Sequence, residues 1–317
     1  AMIKKIVKKG VSIALAPINK IVKRTNWYKN VTPEWGKFPI EKWYRTNLDR
    51  NYDIVNVGSS SALYAFNYEG IPVKAFNWAM QPQSMEYSFR ILKNFSSILG
   101  PKGIILIPFC PFSGLSVTGK WTERLNDRYY GILDPSTIDS YNRVALRRKQ
   151  PFLADPKNAI KRLIKDEKPK HFPNCSICLS KEAFENDAQR WMNGWQKEFG
   201  ISDVNAPKSK ENVAGSAARM ETFKQMIDFC LERDLRPVLV MPPVHPALAK
   251  KLTSQFRETY IYSFVKEMNI HHIPYLDYLS CEEFTDDGFY YNAFFMNEKG
   301  AKQFTKRVLN ELELIKE

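Results

Sequence analysis

The chain has 317 residues, of which 44% are hydrophobic, and a formal net charge of +13. A length of this order allows a full hydrophobic core in one large domain or two smaller ones. The positive charge favours polyanions or anionic membranes as neighbours. Double-stranded nucleic acid fits less well, because no zinc-finger spacing or aromatic RNA-binding block accompanies the charge. No apolar run approaches the roughly 18 residues of a membrane span.

The cysteines indicate a reducing compartment. They are odd in number, and several have apolar neighbours. Their positions are Cys110, Cys175, Cys178, Cys230 and Cys281. His171 precedes two of them with local zinc-ligand spacing, but a closed zinc site needs four ligands and no second pair stands nearby. We therefore predict no metal and no cofactor, in a cytoplasmic protein or one peripheral at the membrane, with an extracytoplasmic location left open.

Residues 1–26 form a basic amphipathic segment. Lysines and arginines surround apolar residues that recur at helical spacing, namely Ile3, Ile6, Val7, Ala14, Ile18, Ile21 and Val22. This pattern is typical of a helix that lies on an anionic membrane surface, and it would also suit docking to a membrane-embedded partner. Packing of the stripe on the protein itself is the alternative.

Apolar strands alternate with helical patterns from residue 53 onward. The strands are predicted to end at Val57 and to span 73–77, 103–108, 238–241 and 270–275. Near-continuous apolar strands joined by helices indicate parallel pairing with helices on both faces. The predicted fold class is therefore α/β, with a doubly wound, mainly parallel five-stranded sheet.

A large insertion follows the third strand. After Pro108 the alternation stops for roughly a hundred residues, which exceeds the usual length of a connection. We predict a partly helical lid at about residues 110–213 that interrupts an α/β domain of residues 27–317. Both ends of this segment lie beside the carboxyl ends of the strands, so we expect it to fold over that edge.

A glycine and three serines follow the first strand. Gly58 permits a sharp strand-to-helix turn, and Ser59 to Ser61 can cap the helix after it. A hydroxyl at a helix N-terminus also lies near unpaired backbone N–H groups, which favour developing negative charge. The pattern suits a nucleophile, and a plain helix cap is the alternative.

The order of motifs resembles one known superfamily. Ligands of open α/β sheets bind outside the carboxyl ends of the strands, where Asn77, Gln81 and His245 follow the second and fourth strands. Together with the Gly58-Ser59-Ser60 turn and the final block 292–300, this order resembles the SGNH/GDSL hydrolases, nearest the cell-envelope O-acetyltransferases and the teichoic-acid D-alanyl transfer protein. The resemblance implies a strand order of 2-1-3-4-5. It covers the sheet and its helices but not the insertion.

The resemblance also assigns roles to individual residues, and it shows that two catalytic residues of the family are replaced in this chain. Ser60 would be the nucleophile. The candidates for contacting substrate or an oxyanion are Gly58, Ser59, Ser61, Asn77, Gln81 and Asn292. In the final block Asn292 stands where the family has aspartate, and Phe295 stands where it has histidine. A serine hydroxyl needs an adjacent base, so another residue must supply it.

His245 is the candidate substitute base. It follows the fourth strand directly, and Asp286 or Asp287 could orient it, of which we choose Asp287 as the catalytic partner. An ordinary loop histidine before Pro246 is the alternative.

Two functions remain open. One is a serine acyltransferase or esterase of the SGNH type that acts on a cell-envelope glycan or anionic glycopolymer with a non-standard base. The other is an inactive SGNH-like protein that binds a glycan or serves as a scaffold in envelope polysaccharide synthesis. The intact serine turn favours the first, and Phe295 favours the second. Neither function involves nucleic acid.

Overall fold

The computed structural model describes residues 10–29, 50–115, 122–167 and 179–315. The chain divides into two compact units. The sheet unit comprises Asp49–Lys120 and Asn174–Glu317, and the helical unit comprises Ala1–Leu48 and Trp121–Pro173. The N-terminal segment thus shares a unit with Trp121–Pro173, the middle part of the predicted insertion. The rest of the insertion belongs to the sheet unit.

Among the described residues, five parallel strands form one open sheet in the order β2-β1-β3-β4-β5. They are β1 (Tyr52–Asn56), β2 (Ala75–Asn77), β3 (Leu99–Pro108), β4 (Arg236–Met241) and β5 (Tyr275–Asp277). The β-branched side chains of the central strands, such as Ile54, Val55 and Ile105, are completely buried, as suits a strand covered on both faces. The predicted α/β class, parallel pairing and strand order are confirmed.

The predicted position of the fifth strand is wrong. Strand β5 begins at Tyr275, where the predicted strand ended. The residues before it form a turn, because the Asn269 side chain accepts from the Ile273 N–H (2.9 Å) and donates to the Ile273 carbonyl (2.8 Å). His272 adopts a positive φ of 50° in this turn. A side chain that bonds the backbone in this way replaces strand pairing locally.

The described helices of the helical unit have at most nine residues each, whereas those of the sheet unit range from three to 22 residues. In chain order they are α1 (Ala16–Val22), α2 (Asn26–Lys29), α3 (Ser60–Ala65), α4 (Met85–Phe95), α5 (Tyr141–Lys149), α6 (Pro151–Ala154), α7 (Pro156–Ile164), α8 (Lys181–Phe199), α9 (Lys210–Leu231), α10 (Pro246–Ala249), α11 (Ser254–Phe256), α12 (Ser263–Met268) and α13 (Glu298–Glu311). A π-helical turn, Arg257–Tyr262, joins α11 to α12. Within the described chain, no helix combines the length and apolarity that crossing a bilayer demands.

Helices cover the sheet in two groups. In the sheet, β2 lies on one side of β1, and β3, β4 and β5 follow one another on the other side. The connection from β1 to β2 therefore runs across the sheet in the opposite direction from the later connections. Because these connections are right-handed, α3 lies on one face of the sheet and α4, α9 and α12 lie on the opposite face. The helix contacts agree with this arrangement: α3 packs against α13, whereas α9 packs against both α4 and α12. The carboxyl ends of the strands, and the loops that follow them, remain as the edge where a site can form.

The helical unit has a small core of its own. Val22, Trp27, Tyr28 and Ala159 are buried together, and Ile18 and Phe152 pack against them. The Asp166 carboxylate accepts from the backbone N–H groups of Asn26 (2.6 Å) and Trp27 (3.1 Å), which ties the N-terminal residues to the end of α7. Two residues of the predicted apolar stripe, Ile18 and Val22, thus face inward. The N-terminal part of the stripe, with Ile3, Ile6 and Val7, lies outside the described residues.

Candidate functional site

The turn between β1 and α3 depends on Gly58. This residue has a φ of +128°, and a Cβ at its position would lie 2.7 Å from the Cβ of Ala62. The backbone conformation and the close approach both require glycine. The turn places Ser59 at the N-cap position and Ser60 at the first position of α3. The structure thus contains the predicted strand-to-helix turn, with serines at the start of the helix.

The three serines differ in their surroundings. The Ser59 hydroxyl accepts a hydrogen bond from the Gln83 N–H (3.1 Å). Ser61 lines a cleft at the carboxyl ends of β1, β3 and β4. Within the described part of the chain, the Ser60 hydroxyl has no hydrogen-bonding partner. Ser60 is therefore free to interact with a ligand, but no base lies within hydrogen-bond reach of it in that same part of the chain.

Gln83, which the sequence analysis missed, fixes the serine turn from the side. Its Nε2 donates to the Gly58 carbonyl (2.9 Å) and to the Ser88 hydroxyl (3.1 Å), and the residue is buried. The predicted contact residue Gln81 is exposed, two positions earlier. No sequence pattern distinguishes these two glutamines, because the choice depends on which side chain the loop after β2 turns inward.

Asn77 holds the end of α3 instead of facing the crevice. Its Nδ2 donates to the carbonyl of Phe66 (3.0 Å) and approaches those of Ala62 and Leu63 (both 3.3 Å). Its Oδ1 accepts from the Asn56 side chain (2.7 Å) and from the Ala79 N–H (3.0 Å). These contacts use the whole amide group. They also explain why α3 stops at Ala65, because they satisfy the carbonyls at its C-terminal end.

His245 and Asp287 form the predicted pair. The His245 Nε2 lies 2.8 Å from Oδ1 of Asp287, while its Nδ1 accepts from the Ala247 N–H (3.1 Å) and caps α10. Because Nδ1 accepts a hydrogen bond from a backbone N–H, Nε2 carries the proton of the neutral ring and donates a hydrogen bond to Asp287. In a serine triad, one ring nitrogen remains free to accept the serine proton. Here both nitrogens are engaged elsewhere.

The surroundings of His245 keep its ring neutral. Its imidazole stacks on Phe184, with centroids 3.9 Å apart, and meets Tyr290 edge-on at 5.2 Å. Burial lowers the pKa of His245, and the hydrogen bond with Asp287 opposes that shift. The side chain is only 5% exposed, whereas that of Asp287 is 46% exposed. These contacts suit a structural histidine that packs in an aromatic pocket.

Phe295 belongs to an aromatic cluster. Its ring stacks on Tyr64 at 4.6 Å and is tilted against Phe294 at 4.8 Å, and it makes an edge-to-face contact with Trp191 at 5.4 Å. Tyr64 follows Ser60 by one helical turn on the same face of α3. The position where the resemblance implies a base is therefore occupied by buried aromatic packing, which can accept no proton.

The frame of the final block is retained for structural reasons. Asn297 caps α13 by accepting from the Gly300 N–H (2.9 Å), and its Nδ2 donates to the Gly288 carbonyl (2.8 Å). A Cβ at Gly300 would lie 2.1 Å from the Phe289 carbonyl oxygen, so only glycine fits. Asn292 accepts from the N–H groups of Phe294 and Phe295 (2.9 and 2.7 Å) and shapes the turn before them.

The cleft at this edge is narrow, with a volume of about 10 Å³, and most of its lining side chains are apolar. Its lining residues are Ser61, Ala65, Phe109, Cys110, Pro111, Pro242, Pro243, Val244, Phe294 and Met296. Burial raises the pKa of the Cys110 thiol, which keeps it protonated. The polar side chains of the lining are thus one hydroxyl and one thiol, and neither His245 nor Asp287 is part of it.

Helix α8 lies across the loops after β3, β4 and β5. Trp195 packs on Phe112 at 4.2 Å, after β3, and Phe184 stacks on His245 at 3.9 Å, after β4. Asp187 accepts from the Ala293 N–H (3.0 Å), after β5. This helix lies in the last part of the segment predicted as an insertion, and it contacts the loops at the carboxyl ends of these strands.

Other chemistry is sparse near the sheet. Among the described residues, no group of three His, Cys, Asp or Glu side chains could hold a metal ion. Cys110, Cys230 and Cys281 are free thiols. The spaced set His171, Cys175 and Cys178 lies outside the described part of the chain. No protein-family model matches the sequence, and no curated protein is significantly similar to it.

Proposed function

We propose that this chain is a catalytically inactive SGNH-like protein that acts as a glycan-binding or scaffolding module in envelope polysaccharide synthesis. The observation that carries the proposal is the engagement of both His245 ring nitrogens, one by the Ala247 N–H and the other by Asp287. A serine hydroxyl is almost wholly protonated at neutral pH, so without a proton acceptor it is a poor nucleophile. Phe295 offers no substitute, since its ring packs on Tyr64.

The ligand that suits this edge is amphipathic. The cleft walls are prolines, aromatic rings and aliphatic side chains, and the half-buried rings of Trp191 and Tyr291 lie next to Phe295 and Tyr64. Such rings offer an apolar face together with a polar edge, which matches the alternating apolar and hydroxyl surfaces of a sugar. In this proposal α8 acts as a fixed lid on the site, with Trp191 on its inner side.

Fluorophosphonate labelling tests the inactive site. The probe reacts with an activated serine, so we expect no labelling of the wild type above that of Ser60→Ala, with an ordinary serine hydrolase as positive control. Labelling of the wild type that disappears in Ser60→Ala would overturn the proposal. Hydrolysis of a simple aryl ester, measured in parallel, should likewise be the same in both proteins.

Calorimetric titration tests the binding role. The probes are a neutral glycan and a poly(glycerol phosphate), both with wild type and with Tyr291→Ala. We expect one of the two polymers to bind, and binding to weaken by about fivefold or more in the variant, as for loss of an aromatic contact at the centre of an interface. Absence of binding to both polymers would contradict the glycan role.

One observation favours the alternative, an SGNH-type acyltransferase or esterase with a relocated base. The Ser60 hydroxyl has no partner among the described residues, and it stands at the first position of α3. Activity would require the His245–Asp287 pair to open and to expose Nε2. Fluorophosphonate labelling that is lost in both Ser60→Ala and His245→Ala would identify this mechanism.

A further inference from the structure

The net positive charge of the chain arises from one of its two units. By sequence, the helical unit holds 23 Lys and Arg against 9 Asp and Glu, whereas the sheet unit holds 24 against 25. The helical unit therefore has a net charge of +14 and the sheet unit a net charge of −1, which together account for the +13 of the whole chain. A positive field of this kind attracts anionic surfaces to the helical unit alone.

Exposed apolar side chains are concentrated in the same unit. Eight of the eleven exposed large hydrophobic residues belong to its 66 described residues, and three belong to the 203 described residues of the sheet unit. The eight are Val11, Ile13, Ile21, Leu146, Leu153, Ile160, Leu163 and Ile164. Single exposed apolar residues are common, but such a density on a small unit marks an interaction surface.

Helix α7 gives this surface its geometry. Ala159 is completely buried, while Ile160, Leu163 and Ile164, spaced i, i+3 and i+4, form an exposed apolar stripe in which Ile164 is 83% exposed. Lys157 and Lys161, one turn apart, are exposed on the adjacent face, and Lys165 continues their row. An apolar stripe with a lysine row along its side is the pattern of a helix that lies in the plane of a membrane surface.

The N-terminal helix adds to the same unit. Helix α1 packs against α7, and Val22 enters their shared core. Ile21 next to it is 54% exposed, Ile13 before the helix is 67% exposed, and Lys20 is exposed as well. The basic amphipathic segment therefore supplies part of a larger surface, to which the long connection after β3 contributes α7.

Charge pairing distinguishes four arginines of the unit from its exposed lysines. Four carboxylates pair with arginines, in the ion pairs Arg124–Asp155, Arg143–Glu123, Arg147–Glu123, Arg147–Asp127 and Arg162–Glu167. In contrast, six exposed lysines have no carboxylate partner among the described residues, namely Lys20, Lys29, Lys149, Lys157, Lys161 and Lys165. These ammonium groups are free to meet external negative charge.

We infer that the helical unit docks on an anionic lipid bilayer through the exposed residues of α7 and α1, with Ile160, Leu163 and Ile164 at the acyl boundary and the lysines at the headgroups. A bilayer complements both features at once, since it offers negative charge and an apolar layer below it. A soluble polyanion would meet the lysines but leave the isoleucines and leucines in water. This docking does not depend on the chemistry at Ser60.

Liposome flotation of the 317-residue chain tests the docking. The vesicles contain phosphatidylcholine alone or with about 30 mol% phosphatidylglycerol, since anionic lipid attracts basic residues near the surface. Two variants address the two parts of the surface: a triple serine variant, Ile160→Ser with Leu163→Ser and Ile164→Ser, and a triple glutamine variant, Lys157→Gln with Lys161→Gln and Lys165→Gln. Because these side chains are exposed, the variants should retain the circular dichroism and thermal unfolding of the wild type.

Matched controls alter the sheet unit. They are Val213→Ser with Ile270→Ser for the apolar change, and Lys181→Gln with Lys197→Gln and Lys266→Gln for the charge change, all at exposed positions. We expect the wild type and both controls to bind the anionic vesicles. Each helical-unit variant should bind at least about tenfold more weakly, and about 0.5 M salt should weaken wild-type binding further.

Three outcomes would overturn the inference. One is failure of the wild type to bind the anionic vesicles. Another is an equal loss of binding in the matched controls, which would indicate unspecific attraction. The third is unchanged binding in the triple serine variant together with equally tight wild-type binding to soluble poly(glycerol phosphate), which would identify the surface as a polyanion site.

Discussion

Phe295 stacks on Tyr64, with ring centroids 4.6 Å apart and ring planes 19° from parallel. Tyr64 lies one turn beyond Ser60 on α3, so the residue at position 295 is placed against the helix that begins with the serine turn. Aromatic pairs of this kind contribute about 0.5–1.5 kcal/mol beyond the burial of their surfaces. Position 295 thus stabilises the α3 contact in this protein, where the proposed likeness to SGNH hydrolases would call for a base.

The conformation of Gly58 predicts a large cost for any side chain there. We expect Gly58→Ala to lower the free energy of unfolding by about 3 kcal/mol, because its Cβ would meet that of Ala62 and its φ is positive. Chemical denaturation measures the change. Gly194→Ala is the matched control: its Cβ meets nothing within 4 Å inside α8, so it should stabilise by about 0.5–1 kcal/mol. If Gly58→Ala lowers the free energy of unfolding by less than an ordinary surface substitution does, the turn does not have the geometry described above.

The contacts of Asn77 predict a structural phenotype. Asn77→Asp replaces the donating amide with a carboxylate that faces the carbonyls of Ala62, Leu63 and Phe66, so we expect a loss of about 2–4 kcal/mol in unfolding free energy. The exposed Asn94→Asp should change stability by less than about 1 kcal/mol. Equal effects of the two changes in thermal unfolding would show that the Asn77 amide is not engaged.

The buried His245 predicts a pH dependence of stability. Burial lowers its pKa in the folded protein below the ordinary value of 6.5, so the unfolded chain binds more protons as the pH falls through that value. Its stabilising contribution is full above the unfolded pKa and is lost as the pH falls toward the folded pKa. Between about pH 7 and pH 5, the unfolding free energy of wild type should therefore fall more steeply than that of His245→Asn, which can still cap α10 but does not titrate.

The exposed His272 provides the comparison for that titration. His272→Asn removes an ordinary histidine, and asparagine tolerates the positive φ of 50° at this position. Its stability should follow pH as the wild type does. If His245→Asn shows the wild-type slope as well, the histidine is not the titrating group.

The sheet was predictable because its determinants are local. The strands are apolar runs bounded by turn residues, and the right-handed rule leaves few orders for five parallel strands. The serine turn was predictable for the same reason, since Gly58 and the capping serines stand side by side in the sequence. The beginning of β5 was not, because the Asn269 side chain competes there with strand pairing.

The environment of His245 could not be predicted, because it depends on contacts with residues that are distant in sequence. Phe184 and Asp287 lie 61 and 42 residues away, on the long connection and on the loop after β5. Its capping of α10 could have been inferred, because Pro246 stands at the first helical position and the preceding residue is then the N-cap. The grouping of Val22 with Ala159 could not, since no local pattern links residues so far apart.

Introducing the aspartate and histidine that an SGNH-like final block would contain tests the proposed resemblance. In the double variant N292D/F295H, an aspartate oxygen can still accept from the N–H groups of residues 294 and 295, as Asn292 does. A histidine at position 295 would then lie against α3 near Tyr64, one helical turn beyond the Ser60 hydroxyl. General-base assistance contributes about 10²–10⁴ in rate, so we expect fluorophosphonate labelling at least about a hundredfold above that of wild type.

The matched control for this restoration is N292D/F295L, which keeps an apolar side chain at position 295 and supplies no proton acceptor. It should remain unlabelled, and adding Ser60→Ala to N292D/F295H should abolish labelling, because the gain must pass through that hydroxyl. Circular dichroism and thermal unfolding establish that each variant is folded. A folded N292D/F295H that stays unlabelled would mean that position 295 does not direct a side chain to Ser60, and the likeness to SGNH hydrolases would then end at the sheet and its serine turn.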